Sequence, residues 1–110
     1  MQGGLTQDFE APEGLLRIED CLDAQGDISF PPGTTLISLA ERNIANIGGT
    51  VAFRYLDFGR SAEGEATEIT WTQFGVRMRA IGARIQQTVS KAERVAILAP
   101  QGLDYVTAFY

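Results

Sequence analysis

The feature that most constrains the fold of this chain is the apolar run at residues 95–99, Val-Ala-Ile-Leu-Ala. An apolar run without alternation is typical of a strand that is covered on both faces within a parallel sheet. It is also the longest apolar run of the sequence, whereas a membrane-spanning helix needs about 20 such residues. The sequence therefore predicts a buried strand of the parallel type and no membrane span.

A strand of this kind requires neighbouring strands beside it and helices on both faces. The rest of the sequence offers a long helix, a hairpin and an apolar turn that begins with Leu103, Val106 and Phe109 at helical spacing. We therefore expect these 110 residues to be the front part of a longer protein. The alternative is a complete small domain that closes its sheet by dimerising.

A first helix is predicted over about residues 35–47, because apolar residues recur there at steps of three and four. These residues are Leu36, Leu39, Ala40, Ile44 and Ile47. The hydroxyl of Thr34 or Thr35 is expected to cap the first turn. Gly48 and Gly49 are expected to end the helix in the left-handed conformation that glycine favours.

A β-hairpin is predicted next, from two alternating segments joined by a polar turn at residues 59–64. Val51, Phe53 and Tyr55 alternate in the first strand. In the second, Thr67, Ile69 and Trp71 alternate.

A second helix is predicted after the hairpin, because Thr70 and Gln73 have the spacing of a capping box. A single apolar stripe follows, formed by Phe74, Met78, Ile81 and Ile85. Gly75 and Gly82 lie within this helix, where each glycine costs about 1 kcal/mol relative to alanine. We therefore expect another backbone to pack closely against them.

The remaining segment, residues 1–33, is acidic, irregular and interrupted by Pro12, Pro31 and Pro32. It is interpreted as an extended N-terminal arm, and residues 34–110 as the incomplete start of a subdomain. The order helix, hairpin, helix, buried strand and helix is typical of an α/β protein.

Composition excludes several classes of function. The chain has no histidine, which removes every Ser-His-Asp or Cys-His mechanism, and its single cysteine, Cys21, cannot form an internal disulfide. A net charge of −5 argues against nucleic acid as the main partner. The start of the sequence has neither the basic region nor the apolar stretch of a signal peptide, so a cytoplasmic location is expected.

No chemical motif assigns a catalytic, cofactor-binding or metal-binding residue. Lys91 is the only lysine and follows no glycine-rich phosphate loop. The acidic residues fail the spacing of a calcium loop, so we interpret them as solvated carboxylates. They are Glu19, Asp20, Asp23 and Asp27.

Three other groups are given structural interpretations. Cys21 lies among acids, which disfavour a thiolate nucleophile. Four aromatic residues fit a packed core face better than a base-stacking platform; they are Phe53, Tyr55, Phe58 and Trp71. Three arginines fit a solvated helix face, with an anion or carrier-protein contact as the alternative; they are Arg77, Arg79 and Arg84.

Four ordered segments resemble the N-terminal end of adenylate-forming acyl-activating enzymes, which include the long-chain acyl-CoA synthetases, and most closely the fatty acyl-AMP ligases. The segments are 32–36 (PGTTL), 51–57 (VAFRYLD), 69–74 (ITWTQF) and 94–105 (RVAILAPQGLDY). The third is similar to the first core motif of the family, and the fourth is similar to a run of the fatty acyl-AMP ligase branch. The resemblance covers about residues 30–110.

This resemblance implies the N-terminal part of the adenylate-forming fold and a parent enzyme of lipid metabolism. Such an enzyme uses ATP and Mg to convert a fatty acid to acyl-AMP and pyrophosphate. It then passes the acyl group to the acyl carrier protein of a polyketide synthase, whereas related enzymes pass it to coenzyme A. The family's phosphate loop, ribose-binding aspartate and catalytic lysine have no counterpart in the matched segments, so no site residue carries over.

The segment is therefore expected to be inactive alone and to have the remainder of the same enzyme as its partner. One alternative is a non-catalytic interaction domain that self-associates or binds a larger ligase. A weaker alternative is a small binder of coenzyme A or a nucleotide.

Overall fold

A computed structural model describes residues 17–110 as a small α/β protein with three α-helices and a two-stranded antiparallel hairpin. The elements, after a single 3-10 turn at Ile18–Cys21, are α1 (Leu36–Ile47), β1 (Val51–Asp57), β2 (Glu65–Thr70), α2 (Trp71–Thr88) and α3 (Leu103–Phe109). Residues 1–16 of the expected arm lie outside the described residues, and the division at residue 33 stays a prediction.

The first helix, α1, begins at the predicted cap. Thr35 Oγ1 accepts from the Ser38 backbone N–H at 3.0 Å, and Ser38 Oγ accepts from the Thr35 N–H at 2.7 Å. These reciprocal bonds satisfy two backbone donors that a helix start leaves without intrahelical partners. Thr34 instead donates its hydroxyl to the Pro31 carbonyl at 2.6 Å, so Thr35 is the cap.

The end of α1 differs from the prediction. Gly48 has φ −51° and ψ −33°, which is right-handed, and Gly49 does not have positive φ either. Glycine is required at position 48 because the start of α2 lies against it: the Thr72 N–H donates to the Gly48 carbonyl at 2.9 Å. A Cβ at Gly48 would overlap Thr72 Oγ1 and lie 2.8 Å from the Ile44 carbonyl oxygen.

The hairpin forms where the alternating residues predict it, except that β2 ends at Thr70 and Trp71 begins α2. Phe53 pairs with Ile69 and Arg54 with Glu68, with one irregularity in register between Val51 and Phe53. Alternation along the strands places Phe53 and Ile69 on the face that packs on the helices, and Arg54 and Glu68 on the other face. The latter two form an ion pair at 2.5 Å.

The core lies between this inner hairpin face, α1 and α2. Four apolar side chains are buried in the described part of the chain: Ala40, Ile69, Phe74 and Met78. Partly buried apolar residues surround them; these are Ile44, Phe53, Trp71, Leu103, Val106 and Tyr110. The predicted stripe of α2 is therefore confirmed at its first two positions, while Ile81 and Ile85 are half-buried.

The two glycines of α2 have different roles. Gly75 is buried, and a Cβ there would lie 2.8 Å from Ile44 Cδ1 of α1. Gly82 would meet nothing within 4 Å. The expectation of a closely packed backbone at both glycines is therefore wrong, because a side chain approaches Gly75 and open space surrounds Gly82.

The last helix is confirmed, but its inward face is displaced from the predicted stripe. Leu103 and Val106 pack against the core as expected, whereas Phe109 is 61% exposed. Thr107 is buried instead, with its hydroxyl donated to the Leu103 carbonyl at 2.7 Å, and Tyr110 packs on Phe74. The buried side of α3 is thus shifted by about one residue toward the C-terminus relative to the predicted stripe.

Residues 95–99 do not form the predicted buried strand of the parallel type. The sheet in the described part of the chain contains β1 and β2 alone. Val95 is 54% and Leu98 is 96% exposed, and Ile97 is half-buried. A strand exists only where another strand supplies its hydrogen-bonding partners, and residues 17–110 provide none for this run.

Candidate functional site

No group suited to a metal ion forms among residues 17–110: no three Cys, Asp or Glu side chains come together there. Two of the four acidic residues weighed for calcium, Asp20 and Asp23, accept backbone hydrogen bonds locally instead. Asp20 Oδ2 accepts from the Arg17 N–H at 3.0 Å, and Asp23 Oδ1 accepts from the N–H groups of Gln25 and Asp27 at 2.9 Å each. These bonds hold the turn in the conformation that Asp side chains commonly stabilise.

The aromatic residues divide between the core and the surface. The Phe53 ring lies 5.1 Å from Phe74 and 5.7 Å from Trp71, centroid to centroid, in tilted packing. Tyr55 is 40% and Phe58 is 60% exposed. The core interpretation is therefore right for Phe53 and Trp71, and the four residues do not form one stacking platform.

The three arginines of α2 do not converge on one site. Arg79 donates to Glu41 of α1 at 2.7 Å, which links the exposed sides of the two helices. Arg77 and Arg84 are exposed. Lys91 is exposed as well, beyond the end of α2.

The first surface that offers a place for another group is an apolar groove between residues 18–30 and α1, which we call the N-terminal groove. Its volume is about 520 Å³. Most of its lining is apolar, and the described lining residues are Arg17, Ile18, Cys21, Leu22, Ile28, Phe30, Leu39, Arg42 and Asn43.

A small antiparallel loop shapes this groove. Leu22 and Ile28 form an isolated bridge, and Ser29 N–H donates to the Cys21 carbonyl at 2.7 Å. The sequence analysis missed the groove, although the alternation of Ile28 and Phe30 was a signal for it. Two short apolar pieces on either side of the loop become one surface with α1 only after the loop closes.

The second surface is the extended segment 95–99, the apolar segment. None of its backbone N–H or C=O groups has a hydrogen-bond partner among the residues that the structure describes. Beside its end, a cavity of about 420 Å³ lies between residues 99–104 and the side chains of Tyr55, Thr67 and Arg77. Unpaired backbone and exposed apolar side chains make this segment ready to receive a further strand.

Comparison with known proteins gives no match to a family model. Among curated proteins, the chain is 44% identical over 85 residues to the long-chain-fatty-acid–AMP ligase FadD32 of Mycolicibacterium smegmatis. It is 41% identical over 85 residues to FadD32 of Mycobacterium marinum. Each match covers 77% of this chain and 14% of the relative.

A third relative, the long-chain-fatty-acid–AMP ligase FadD23 of Mycobacterium tuberculosis, is 41% identical over 58 residues, which are 53% of this chain and 10% of the relative. The chain thus spans about one seventh of the length of the first two relatives. In residues 17–110, no helix is long and apolar enough to cross a membrane. The resemblance predicted from four sequence segments is confirmed: this chain is similar to the N-terminal portion of the long-chain fatty acyl-AMP ligases.

Proposed function

We propose that the chain is the structural N-terminal segment of an ATP-dependent fatty acyl-AMP ligase. The 44% identity to a long-chain-fatty-acid–AMP ligase over 77% of the chain carries this proposal. The whole enzyme would join a fatty acid carboxylate to the α-phosphate of ATP, releasing pyrophosphate and forming acyl-AMP. The acyl group would then pass to the carrier protein of a polyketide synthase.

The part of this segment in that reaction is to support the fold. Among residues 17–110, no three Cys, Asp or Glu side chains come together as a metal-binding group would require, and Lys91 is exposed. No step of adenylation is therefore assigned to them. The segment by itself is proposed to be inactive, and its partner is the remainder of the same enzyme.

The apolar segment is the surface that would pack against the rest of the enzyme. Its backbone lacks hydrogen-bond partners within residues 17–110, and Leu98 is 96% exposed. Each fully buried Val, Leu or Ile side chain contributes about 1.5–3 kcal/mol. Burial of this segment by strands and helices of the remaining enzyme would stabilise both parts.

A chimera tests the proposal directly. The 85 matched residues of this chain replace the aligned residues of FadD32 from Mycolicibacterium smegmatis, and pyrophosphate release is measured with a long-chain fatty acid. We expect the chimera to form acyl-AMP with kcat/KM within about tenfold of the parent, a loss of about 1.4 kcal/mol in transition-state stabilisation. The 110-residue chain alone is measured beside it and is expected to be inactive.

Two matched variants of the chimera locate the effect. Leu98→Asp is expected to prevent the apolar segment from packing against the rest of the enzyme, because it would bury a charge between the two parts of the chimera. Val76→Asp is the control. It introduces the same charge at another exposed apolar residue, in α2, which is 63% exposed. A folded chimera without adenylation activity, or an active isolated chain, would contradict the proposal.

A second function, a non-catalytic domain that self-associates, is favoured by the same exposed apolar side chains. Light scattering separates it from the first. A dimer of the isolated chain that Leu98→Asp dissociates, together with an inactive chimera, would favour the interaction domain.

A further inference from the structure

The cavity beside the end of the apolar segment, which we call the hairpin cavity, has a lining rich in polar side chains. Its volume is about 420 Å³, within the range of about 300–1,000 Å³ that is typical of small-molecule sites. Each polar side chain of the lining belongs to a different element or loop of the fold. These side chains are Tyr55, Thr67, Arg77, Gln101 and Asp104.

The hairpin supplies the wall of the cavity that carries hydroxyl groups. Tyr55 pairs with Thr67 across the two strands, and alternation places both on the same face as Phe53 and Ile69. The face is therefore apolar where it meets the core and bears hydroxyls where it meets the cavity. Tyr55 is 40% exposed, and its side chain combines an apolar ring with a polar hydroxyl. Such a wall can contact both the C–H groups and the polar groups of a ligand.

Two opposite charges line the same cavity without pairing. Arg77 and Asp104 do not form an ion pair with each other, and neither forms one with any other residue of the described part of the chain. The guanidinium of Arg77 only donates hydrogen bonds, and an ionised Asp104 only accepts them. A ligand with a single net charge would be attracted by one of these side chains and repelled by the other.

A hydroxyl group resolves this conflict, because it donates one hydrogen bond and also accepts. A neutral ligand with adjacent hydroxyls can therefore accept from Arg77 and donate to Asp104 at the same time. Hydrogen bonds to charged groups are roughly twice as strong as those between neutral groups. The amide of Gln101, which also lines the cavity, offers a further donor and acceptor.

We infer that the hairpin cavity binds a neutral polyol of the size of a pyranose sugar. Its hydroxyls bond to Arg77 and Asp104, and one C–H face of its ring packs against the ring of Tyr55. This binding goes beyond the proposed ligase function, and no step of adenylation passes through it.

A titration followed by NMR tests the inference on the unaltered chain. D-glucose is added to the isotope-labelled 110-residue chain up to near its solubility limit, and the backbone amide shifts are recorded. We expect saturable changes confined to residues 55, 67, 77 and 99–104. Cyclohexanol, a six-membered ring with one hydroxyl, should give no saturable change there, because a single hydroxyl lacks the adjacent partner that the charged pair requires.

Three variants locate the binding. Arg77→Gln and Asp104→Asn each remove one charge with little change in size, and each should weaken glucose binding about tenfold or more, as expected for the loss of a hydrogen bond to a charged group. Arg84→Gln removes the same charge as Arg77→Gln from an exposed position of α2 that does not line the cavity. It should leave the Kd unchanged. Circular dichroism confirms that each variant is folded.

Several results would overturn the inference. They are the absence of saturable shifts with glucose, equal shifts with cyclohexanol, and equal weakening by Arg77→Gln and Arg84→Gln. Acetate or phosphate is titrated as well, and shifts at the same residues with either anion but not with glucose would assign the cavity to anions and overturn the inference too. The titration does not depend on the activity of the chimera, so the failure of one test does not affect the other.

Discussion

At the scale of single residues, Gly48 determines how closely α1 and α2 approach each other. Its carbonyl accepts from the Thr72 N–H at 2.9 Å, and the Thr50 carbonyl accepts from the Trp71 N–H at 3.1 Å. These two donors belong to the first turn of α2 and have no partner within the helix. A Cβ at Gly48 would overlap Thr72 Oγ1, so the junction favours glycine for reasons of contact rather than of backbone conformation.

A matched pair of glycine substitutions tests this role. Gly48→Ala should destabilise the chain by about 1–3 kcal/mol, because its Cβ would meet Thr72 Oγ1 and the Ile44 carbonyl. Gly82→Ala meets nothing within 4 Å inside α2 and should stabilise the chain by about 0.5–1 kcal/mol. Urea unfolding followed by circular dichroism measures both. Equal effects of the two substitutions would contradict the proposed contact.

The cap of α2 is a second feature that depends on one residue. Thr70 Oγ1 accepts from the Gln73 N–H at 3.2 Å, and Gln73 Oε1 accepts from the Thr70 N–H at 3.0 Å. Thr70→Ala should cost about 1 kcal/mol of unfolding free energy, whereas Thr70→Ser, which keeps the hydroxyl, should cost a few tenths at most. Denaturant unfolding distinguishes the two variants. Equal losses would mean that the methyl group, and not the hydroxyl, stabilises this position.

The hairpin loop contains a carboxylate with a shifted pKa. A hydrogen bond from Ser61 Oγ, 2.9 Å from Glu63 Oε2, together with the backbone N–H of Glu63, holds the pKa of Glu63 below its usual value of 4.5. Because the folded pKa is the lower one, the stabilising contribution is present above pH 4.5 and is lost as the pH falls through the folded pKa.

Removing the donor tests this shift. Ser61→Ala should raise the pKa of Glu63 toward its usual value, as measured by the chemical shift of the side-chain carboxyl carbon during an acid titration. Ser90→Ala, which lies beyond α2 and outside the loop, should leave that pKa where it is. An unchanged pKa in Ser61→Ala would exclude the hydroxyl as the cause.

At the scale of elements, the described helices and hairpin pack around buried residues such as Ile69 and Phe74, whereas Leu98 of the apolar segment is 96% exposed. Leu98→Asp should therefore change the unfolding free energy of the isolated chain by no more than about 0.5 kcal/mol. Ile69→Ala removes a side chain that is 2% exposed and should cost about 2–5 kcal/mol. Thermal and urea unfolding give both values, and a large loss in Leu98→Asp would show that the segment packs within this chain.

Local elements were also the part that the sequence predicted best. The extent of α1, the start of α2 with its cap and the alternation of the two strands follow from residues within four positions of one another, such as Thr70 with Gln73. The inward face of α3 was misplaced because it depends on where Phe74 lies. Apolar residues at three-residue spacing, as at Leu103, Val106 and Phe109, do not show whether the core will bury these positions or the ones next to them.

At the scale of the whole molecule, the chain is more open than a compact domain. Its radius of gyration is 17.8 Å, against about 13 Å for a compact chain of 100 residues. Its accessible surface is 8999 Å², whereas a compact protein of this mass exposes about 6,000 Å². Among residues 17–110, four apolar side chains are buried, so little of the apolar content of this part of the chain contributes to a core.

Small-angle X-ray scattering tests this openness. A monomer is expected to give a radius of gyration near 17.8 Å, well above the value for a compact domain of this length. Static light scattering on the same sample confirms the molecular mass. A monomer with a radius near the compact value would mean that the chain buries its own apolar surface, and it would weaken the case for a partner.

The sequence by itself determined the local elements, their caps and the resemblance to fatty acyl-AMP ligases, because each depends on the identity and spacing of nearby residues. Only the tertiary structure decided the contact that requires Gly48, the side chain that approaches Gly75, and the groove beside Cys21. It also left residues 95–99 without the sheet that their apolar character predicts. These features depend on residues that are distant in sequence, and burial is a property of what surrounds a segment rather than of the segment alone.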